Sequence, residues 1–211
     1  PAFTYNATAS AVILAGATPV FVDVRARDFG LDPDDLERRI AEARRRGLVP
    51  RLVVAVDLFG IPADYEAIFA VAEAYGLRVL ADAAQSFGAR WNGRWAGNIA
   101  PVTATSFFPA KALGGYGDGG AVLFRDPELY EASEQVRWHG TDAARKESVR
   151  VGFNGRLDSL QCAVVVEKLT LFEGELARRR EIAALYDRRL ANHVDPQRFG
   201  DGCESGYGLY T

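Results

Sequence analysis

From Ser106 to Gly120 the chain runs Ser-Phe-Phe-Pro-Ala-Lys-Ala-Leu-Gly-Gly-Tyr-Gly-Asp-Gly-Gly: an apolar stretch, then Lys111, then five glycines around Tyr116 and Asp118. Only three of the 25 basic residues are lysines, so each invites inspection. Lys111 is flanked by Pro109, Ala110, Ala112 and Leu113, none of them charged, whereas Lys146 and Lys168 stand among charged residues. An amine in low-polarity surroundings gives up its proton more readily, and the neutral amine condenses with an aldehyde to an imine. The glycine density allows the backbone to come close to a ligand. The competing reading is a surface lysine whose aliphatic stem lies along apolar neighbours beside a glycine turn.

A second group of candidates follows the apolar run Leu77-Arg-Val-Leu-Ala81, where Asp82-Ala-Ala-Gln85 comes next. Ligands of open α/β sheets gather at the carboxyl ends of strands. A carboxylate buried there is costly unless paired. A protonated pyridine nitrogen is such a partner, and the pairing makes a pyridoxal ring an effective electron sink. Ala83 and Ala84 leave room for a flat ring, and Gln85 could hydrogen-bond its phenolic oxygen. The competing reading of Asp82 is a helix N-cap. Ser106, five residues before Lys111, could hold a phosphate together with backbone N–H groups, or be an ordinary strand-end serine. Gly115 to Gly120 also matches the spacing of a dinucleotide fingerprint, but that motif needs strand, turn, then helix, and here a lysine loop precedes and a β-rich run follows. The dinucleotide reading is therefore set aside.

These residues need a scaffold, and the hydrophobic pattern supplies one. Ala7 to Ala15 reads as a small-residue helix closed by Gly16, and Pro19 to Val24 as a strand. Asp32 to Arg46 reads as a helix with a charged outer face, Arg51 to Leu58 as an apolar strand, Asp64 to Tyr75 as an amphipathic helix, and Leu77 to Ala81 as a buried strand. Further strands are expected at Thr103 to Phe108 and Gly120 to Phe124, and a helix at Pro127 to Val136. After a polar stretch from Thr141 to Arg150, Asp158 with Gln161 makes a capping-box-like start to a long helix that continues or restarts through Ala191. Such alternation predicts an α/β sheet with parallel strands.

With 48% hydrophobic and 25% charged residues in 211, the chain has material for a sizeable core. A net charge of −3 provides no long-range attraction for nucleic acid or an anionic membrane, and no apolar run approaches the ~18 residues of a membrane span. Arg44-Arg-Arg46 and Arg178-Arg-Arg180 read as solvated faces, the first at a helix end where positive charge suits the dipole. Two cysteines, Cys162 and Cys203, suggest neither a disulfide framework nor a metal site and fit a cytoplasmic location. The absence of methionine, an opening Pro-Ala-Phe-Thr-Tyr and a closing Tyr207 to Thr211 that looks like the start of a strand read as an excerpt of a longer protein.

The motifs together resemble the DegT/DnrJ/EryC1/StrS family, sugar aminotransferases of fold type I. The likeness rests on Asp82-Ala-Ala-Gln85, Ser106-Phe-Phe-Pro-Ala-Lys111 with its Gly-Tyr-Gly-Asp-Gly-Gly tail, Arg137-Trp-His-Gly140 and Val151-Gly-Phe-Asn-Gly-Arg-Leu-Asp158. It extends to Pro1 to Ala9, Gly16 to Asp23 and Leu58 to Asp64, nearly the whole chain in order. The resemblance implies the fold type I form of the α/β fold, a mixed, mostly parallel sheet flanked by helices. It also implies a pyridoxal 5'-phosphate cofactor bound to Lys111 as an imine, with Asp82 on the pyridine nitrogen, Gln85 on the ring oxygen and Ser106 on the phosphate. It implies that Tyr5 stacks on the ring and that Asn154 reaches a neighbouring subunit's phosphate in a homodimer. His139, Tyr116 and Arg156 fall at substrate-facing positions. Family members that are 3-dehydratases carry histidine in place of the lysine, so Lys111 implies transamination, with glutamate as donor and a nucleotide-linked ketosugar as acceptor.

The wording Ser-Phe-Phe-Pro-x-Lys is most similar to members that act on the 3-keto group of UDP-linked N-acetylated hexuronic acids in surface polysaccharide synthesis; a C4 ketone is the alternative. An inactive binding or regulatory module of the same fold is the reading from another class. Residues 1–170 correspond to the cofactor-binding large domain and 171–211 to a linking helix and the start of a small domain. Relative to the family, the chain lacks the N-terminal stretch that completes the phosphate cradle and most of the small domain, and Ala110 and Ala112 stand where Gly and Asn or Pro are commoner.

Overall fold

The computed structural model describes all 211 residues. Its main sheet has four strands in the order β1 (Leu52–Val56), β2 (Arg78–Asp82), β5 (Val102–Ser106) and β6 (Gly120–Phe124). The first three run parallel and β6 runs antiparallel to β5. Two strands of a small second sheet, β3 (Arg90–Trp91) and β4 (Arg94–Trp95), form a hairpin, and β7 (Cys203–Glu204) pairs with β3. The hairpin turns through Asn92 and Gly93, both at positive φ, the conformation that a two-residue turn between twisted strands demands.

Helices form where local signals agree. Helix α1 is Ala7–Leu14, and the chain leaves it through Gly16 at φ 75°. Helix α2 (Pro33–Arg45) is capped by Asp32, whose carboxylate accepts from Asp34 N at 3.0 Å; Pro33 opens it, and Arg44 and Arg45 close it. Helix α3 (Tyr65–Tyr75) is capped by Asp64 and ends at Gly76 in the left-handed region. Helix α4 (Pro127–Arg137) repeats the pattern of α2, with Asp126 as cap and a proline first. Helix α5 (Ser159–Leu190) runs unbroken for 32 residues.

The core forms where α2 and α3 meet the sheet: Leu36, Ile40, Tyr65 and Ile68 against Val53, Ala55, Val79 and Ala81. Ile68 and Tyr65 have no exposed surface, and burying a large apolar side chain contributes about 1.5–3 kcal/mol. A second cluster joins Ala112 and Leu113, beside Lys111, to Val165, Phe172 and Leu176 of α5. The lysine loop is thereby seated on the long helix. No helix is long and apolar enough to cross a membrane.

Three local expectations are corrected. Pro19 to Val24 is extended but forms no strand beyond a single bridge of Val24 with Leu31. Its backbone bonds go elsewhere: Asp23 N donates to the Asp35 carboxylate at 2.6 Å, and Val22 O accepts from Ala2 N. An apolar groove of about 450 Å³, lined by Val12, Val20, Ile40, Leu48 and Val53 among others, lies between this segment and β1. Gln161 does not complete a capping box: Asp158 caps α5 through Leu160 N, but the Gln161 amide oxygen accepts from Tyr116 N at 2.7 Å instead. Tyr207 to Thr211 starts no strand; Tyr207 sits at φ 43°, and the tail folds over the 58–60 turn through Gly206 N to Gly60 O and Leu209 N to Phe59 O.

Candidate active site

Parallel strands carry their carboxyl ends to one edge, and that edge collects the chemistry. Asp82 is the last residue of β2, and it is paired in register with Val56, the last of β1, and with Ala104 of β5. No helix follows Asp82, so the N-cap reading falls away; its Oδ1 accepts from Ala84 N at 3.2 Å in a tight turn. Oδ2 accepts from Thr8 Oγ1 at 2.7 Å, which brings the start of α1 over the same edge. The carboxylate is half-buried and pairs with no lysine or arginine side chain; the one cation that feels its charge is the Pro1 ammonium.

Three residues further on, Gln85 presents its Oε1 to Phe59 N at 2.6 Å. With the oxygen so engaged, the amide Nε2–H₂ is the end left to donate. Phe59 itself holds φ 62°, in the left-handed region, within a short helical turn from Leu58 to Gly60.

Ser106 ends β5, and its Oγ accepts from Phe108 N at 3.2 Å, leaving its O–H free to donate. The chain then turns through Pro109 and Ala110, with Lys111 N bonded to Phe108 O, and returns as β6 with Gly120 opposite Ser106. Lys111 is half-buried beside the buried Ala112 and Leu113. The adjacent glycines allow the loop's own close packing. A Cβ on Gly114 would stand 2.5 Å from Pro109 O, on Gly120 2.5 Å from Thr105 O, and on Gly119 2.5 Å from Leu157 Cδ1.

The groups at this edge are an amine (Lys111), a hydroxyl (Ser106), an amide N–H (Gln85) and a carboxylate paired with no lysine or arginine (Asp82). Together they fit a flat heteroaromatic ring carrying an aldehyde, a phosphate, a phenolic oxygen and a basic ring nitrogen.

The remaining candidates lie apart from this edge or at its rim. Tyr5 is 74% exposed, one residue before the turn into α1. Tyr116 is 77% exposed on the glycine loop, with Lys168 Nζ 5.6 Å above its ring. His139, Asn154 and Arg156 form a separate group after α4: His139 N bonds Phe153 O, Trp138 bridges Asn154, and Asn154 Oδ1 accepts from Arg156 Nε at 2.8 Å. Trp138 lies under three guanidinium groups, those of Arg145 at 3.6 Å, Arg156 at 4.5 Å and Arg137 at 5.7 Å. None of the hydrogen bonds of this group reaches Asp82, Gln85, Ser106 or Lys111.

Reading the sequence missed two residues of the site. Thr8 was legible only as a helix residue, because its partner Asp82 is 74 positions away. Asp57, which follows β1, is wholly buried and accepts from Ala63 N, Tyr65 Oη and Ser86 Oγ. Burial pushes its carboxyl up to about 6, against the pull of those hydrogen bonds and with a further push from Asp82. Burial together with the Asp57 charge holds the Tyr65 phenol well above its ordinary range. The available signal was a carboxylate at the end of an apolar strand, the feature that marked Asp82.

Residues 1–200 match the DegT/DnrJ/EryC1/StrS aminotransferase family. The chain is 48% identical over 190 residues to the UDP-2-acetamido-2-deoxy-3-oxo-D-glucuronate aminotransferase of Pseudomonas aeruginosa, an alignment covering 90% of this chain and 51% of that protein. It is 40% identical over 193 residues to a pleiotropic regulatory protein of Geobacillus stearothermophilus, covering 92% and 50%. Among solved structures, a DegT DnrJ EryC1 StrS aminotransferase from Brucella abortus superposes with a TM-score of 0.96 at 42% identity, over 100% of this chain and 57% of that one. The chain thus spans about half the length of the curated relatives it matches. The mostly parallel sheet, the match over residues 1–200 and these likenesses together establish that the chain belongs to the DegT/DnrJ/EryC1/StrS aminotransferase family.

Proposed function

We propose that the protein to which this chain belongs is a pyridoxal phosphate-dependent aminotransferase that moves an amino group from glutamate to the ketone of a nucleotide-linked sugar. The observation that carries the reading is the convergence of Asp82, Gln85, Ser106 and the Lys111 loop on the carboxyl edge of β2 and β5. When bound, the cofactor supplies an electron sink that stabilises negative charge at the carbon bearing the amino group.

The chain's own residues hold and orient it. Lys111 Nζ is the covalent anchor and, once released, moves a proton between donor and acceptor carbons. Asp82 keeps a proton on the ring nitrogen, with Thr8 holding its carboxylate in place. Gln85 donates to the ring oxygen, and Ser106 with the turn after β5 takes the phosphate. Tyr5 covers the ring, and Tyr116, His139 and Arg156 face the sugar nucleotide.

A UDP-linked, N-acetylated 3-ketohexuronate is the substrate we favour, supported by the 48% identity to a relative named for such a compound. A panel of UDP- and dTDP-linked 3- and 4-ketosugars, tested on the full-length protein with glutamate, checks it. Turnover is expected with the UDP 3-keto acid, and turnover only with a 4-ketosugar would replace that assignment. The regulatory reading draws on the relative named as a regulatory protein. Glutamate separates the two: an enzyme's visible cofactor band disappears on adding it, whereas a binder's band stays.

We also propose a homodimer acting in the cytoplasm, in which Asn154 reaches the neighbour's phosphate. Support comes from the exposure of Asn154 beside Val151 at 95% and Phe153 at 63%, apolar surface that a second subunit would cover. Asn154→Ala is expected to weaken cofactor retention about tenfold, and unchanged retention would remove the reason for placing the site at an interface. In this division residues 1–170 carry the cofactor face, and 171–211 lead toward the second domain while packing back on the first through Phe172, Leu176 and β7.

A further inference from the structure

Asp57 is a carboxylate in an awkward place. It has no exposed surface and no cationic partner, and its three hydrogen bonds tie together three separate segments. Oδ1 accepts from Ala63 N at 3.0 Å and Tyr65 Oη at 2.7 Å, which fixes the entry to α3. Oδ2 accepts from Ser86 Oγ at 2.7 Å, which fixes the turn after β2. Its own N–H donates to Asp82 O at 3.0 Å. Gln85, the neighbour of Ser86, is held from the other side by Phe59 N, two residues beyond Asp57. The turn from Asp82 to Ser86 is thus gripped at both ends by residues 57 to 59.

A buried carboxylate with only neutral donors is an expensive way to hold a turn. An amide would satisfy the same Ala63 and Tyr65 donors, and the Ser86 hydroxyl can rotate to accept from it. The charge therefore needs a reason. The ionisable groups facing it are Asp82 at the end of the adjacent strand, the Tyr65 phenol of α3 and the Cys203 thiol of β7. Of these, Asp82 opens onto the candidate cofactor edge.

Resting on the cofactor reading above, we propose that Asp57 is a positioning residue. Its carboxylate locks Ser86, and through that turn sets the Gln85 amide and the Asp82 carboxylate against the cofactor ring, while its charge adds to that of Asp82 to favour protonation of the bound cofactor.

The test uses the full-length protein loaded with pyridoxal phosphate, with two variants outside direct cofactor contact. Asp57→Asn keeps the shape and removes the charge; the pH midpoint of the cofactor's visible absorbance is expected to move down while the thermal midpoint changes little. Ser86→Ala keeps the charge and cuts the link to the turn; the cofactor dissociation constant is expected to rise about tenfold, the worth of one buried hydrogen bond. If both variants shift only the thermal midpoint and leave the absorbance titration and cofactor affinity as in the parent, Asp57 is purely structural and the proposal is overturned. If Asp57→Asn fails to fold, Ser86→Ala alone decides, since unchanged affinity there contradicts the lock. A parent protein that takes up no pyridoxal phosphate overturns the cofactor reading itself, and this proposal with it.

Discussion

At the residue scale, the site depends on side chains whose chemistry no other residue type supplies. Lys111 is the one lysine of the loop after β5, and Lys168 Nζ, which reaches that loop from α5, donates to Gly114 O at 2.6 Å, so Lys111→Ala should remove the proposed covalent anchor and proton carrier. A fall in transamination of at least about 10²-fold is expected, with loss of the lysine-bound visible band, in single-turnover assays of the full-length protein. A smaller loss would transfer the proton-carrying role to another group. Lys111, Asp82, Gln85 and Ser106 were legible in the sequence because each stands where an apolar run stops, and such edges are where α/β sheets receive ligands. Thr8 was not, because its partner is 74 positions away, and Asp57, though it too follows an apolar run, takes its significance from Ser86, 29 positions away, which only the folded chain brings near.

At the element scale, legibility followed the source of each element's stability. Helices α2, α3 and α4 carry their caps, first-turn acids or terminal glycine in their own sequence, and they formed where the pattern put them. Pro19 to Val24 has strand composition, but a strand also needs a neighbour's backbone, and that information is not local. Here the segment is pinned by Asp35 of α2 instead, whose carboxylate accepts from Asp23 N and pairs with Arg38 at 2.8 Å and Arg39 at 3.3 Å. Burial works to raise the Asp35 carboxyl, yet the Asp23 N–H and the two arginines hold it below its ordinary value of 3.8. A carboxylate with a lowered folded-state pKa stabilises the protein above its unfolded pKa, and this contribution is lost as pH falls through the folded value. Asp35→Asn should therefore cost about 1.5–3 kcal/mol near pH 7, the range for a hydrogen bond to a charged group. The variant and parent should converge in urea unfolding as pH drops through and below the unfolded value. A deficit unchanged with pH would assign the loss to packing and not to charge.

At the scale of the whole molecule, apolar surface is distributed in a way that a chain folding alone does not favour. One face of α5 buries Val165, Phe172 and Leu176, but Leu160, Val166, Leu169 and Leu171 of the same helix are exposed, at 50–77%. On β6, the outermost strand beyond β5, Val122 and Leu123 are exposed, and the other outer strand, β1, borders the 450 Å³ apolar groove. Both outer strands of the main sheet thus combine free backbone N–H and C=O groups with apolar side chains, the combination that drives edge-to-edge pairing. The net charge of −3 over 211 residues offers little repulsion to oppose it. The 211-residue chain made by itself should associate with rising concentration in the micromolar range and bind a hydrophobic dye, as read by light scattering and dye fluorescence. A protein of the relatives' full length should show markedly less dye binding per chain, because the added length and, in the homodimer proposed above, a second subunit would cover these same faces. Equal dye binding in the two would mean that the exposed faces of α5, β1 and β6 stay open in the complete protein, and the surface argument for a homodimer would lose its footing.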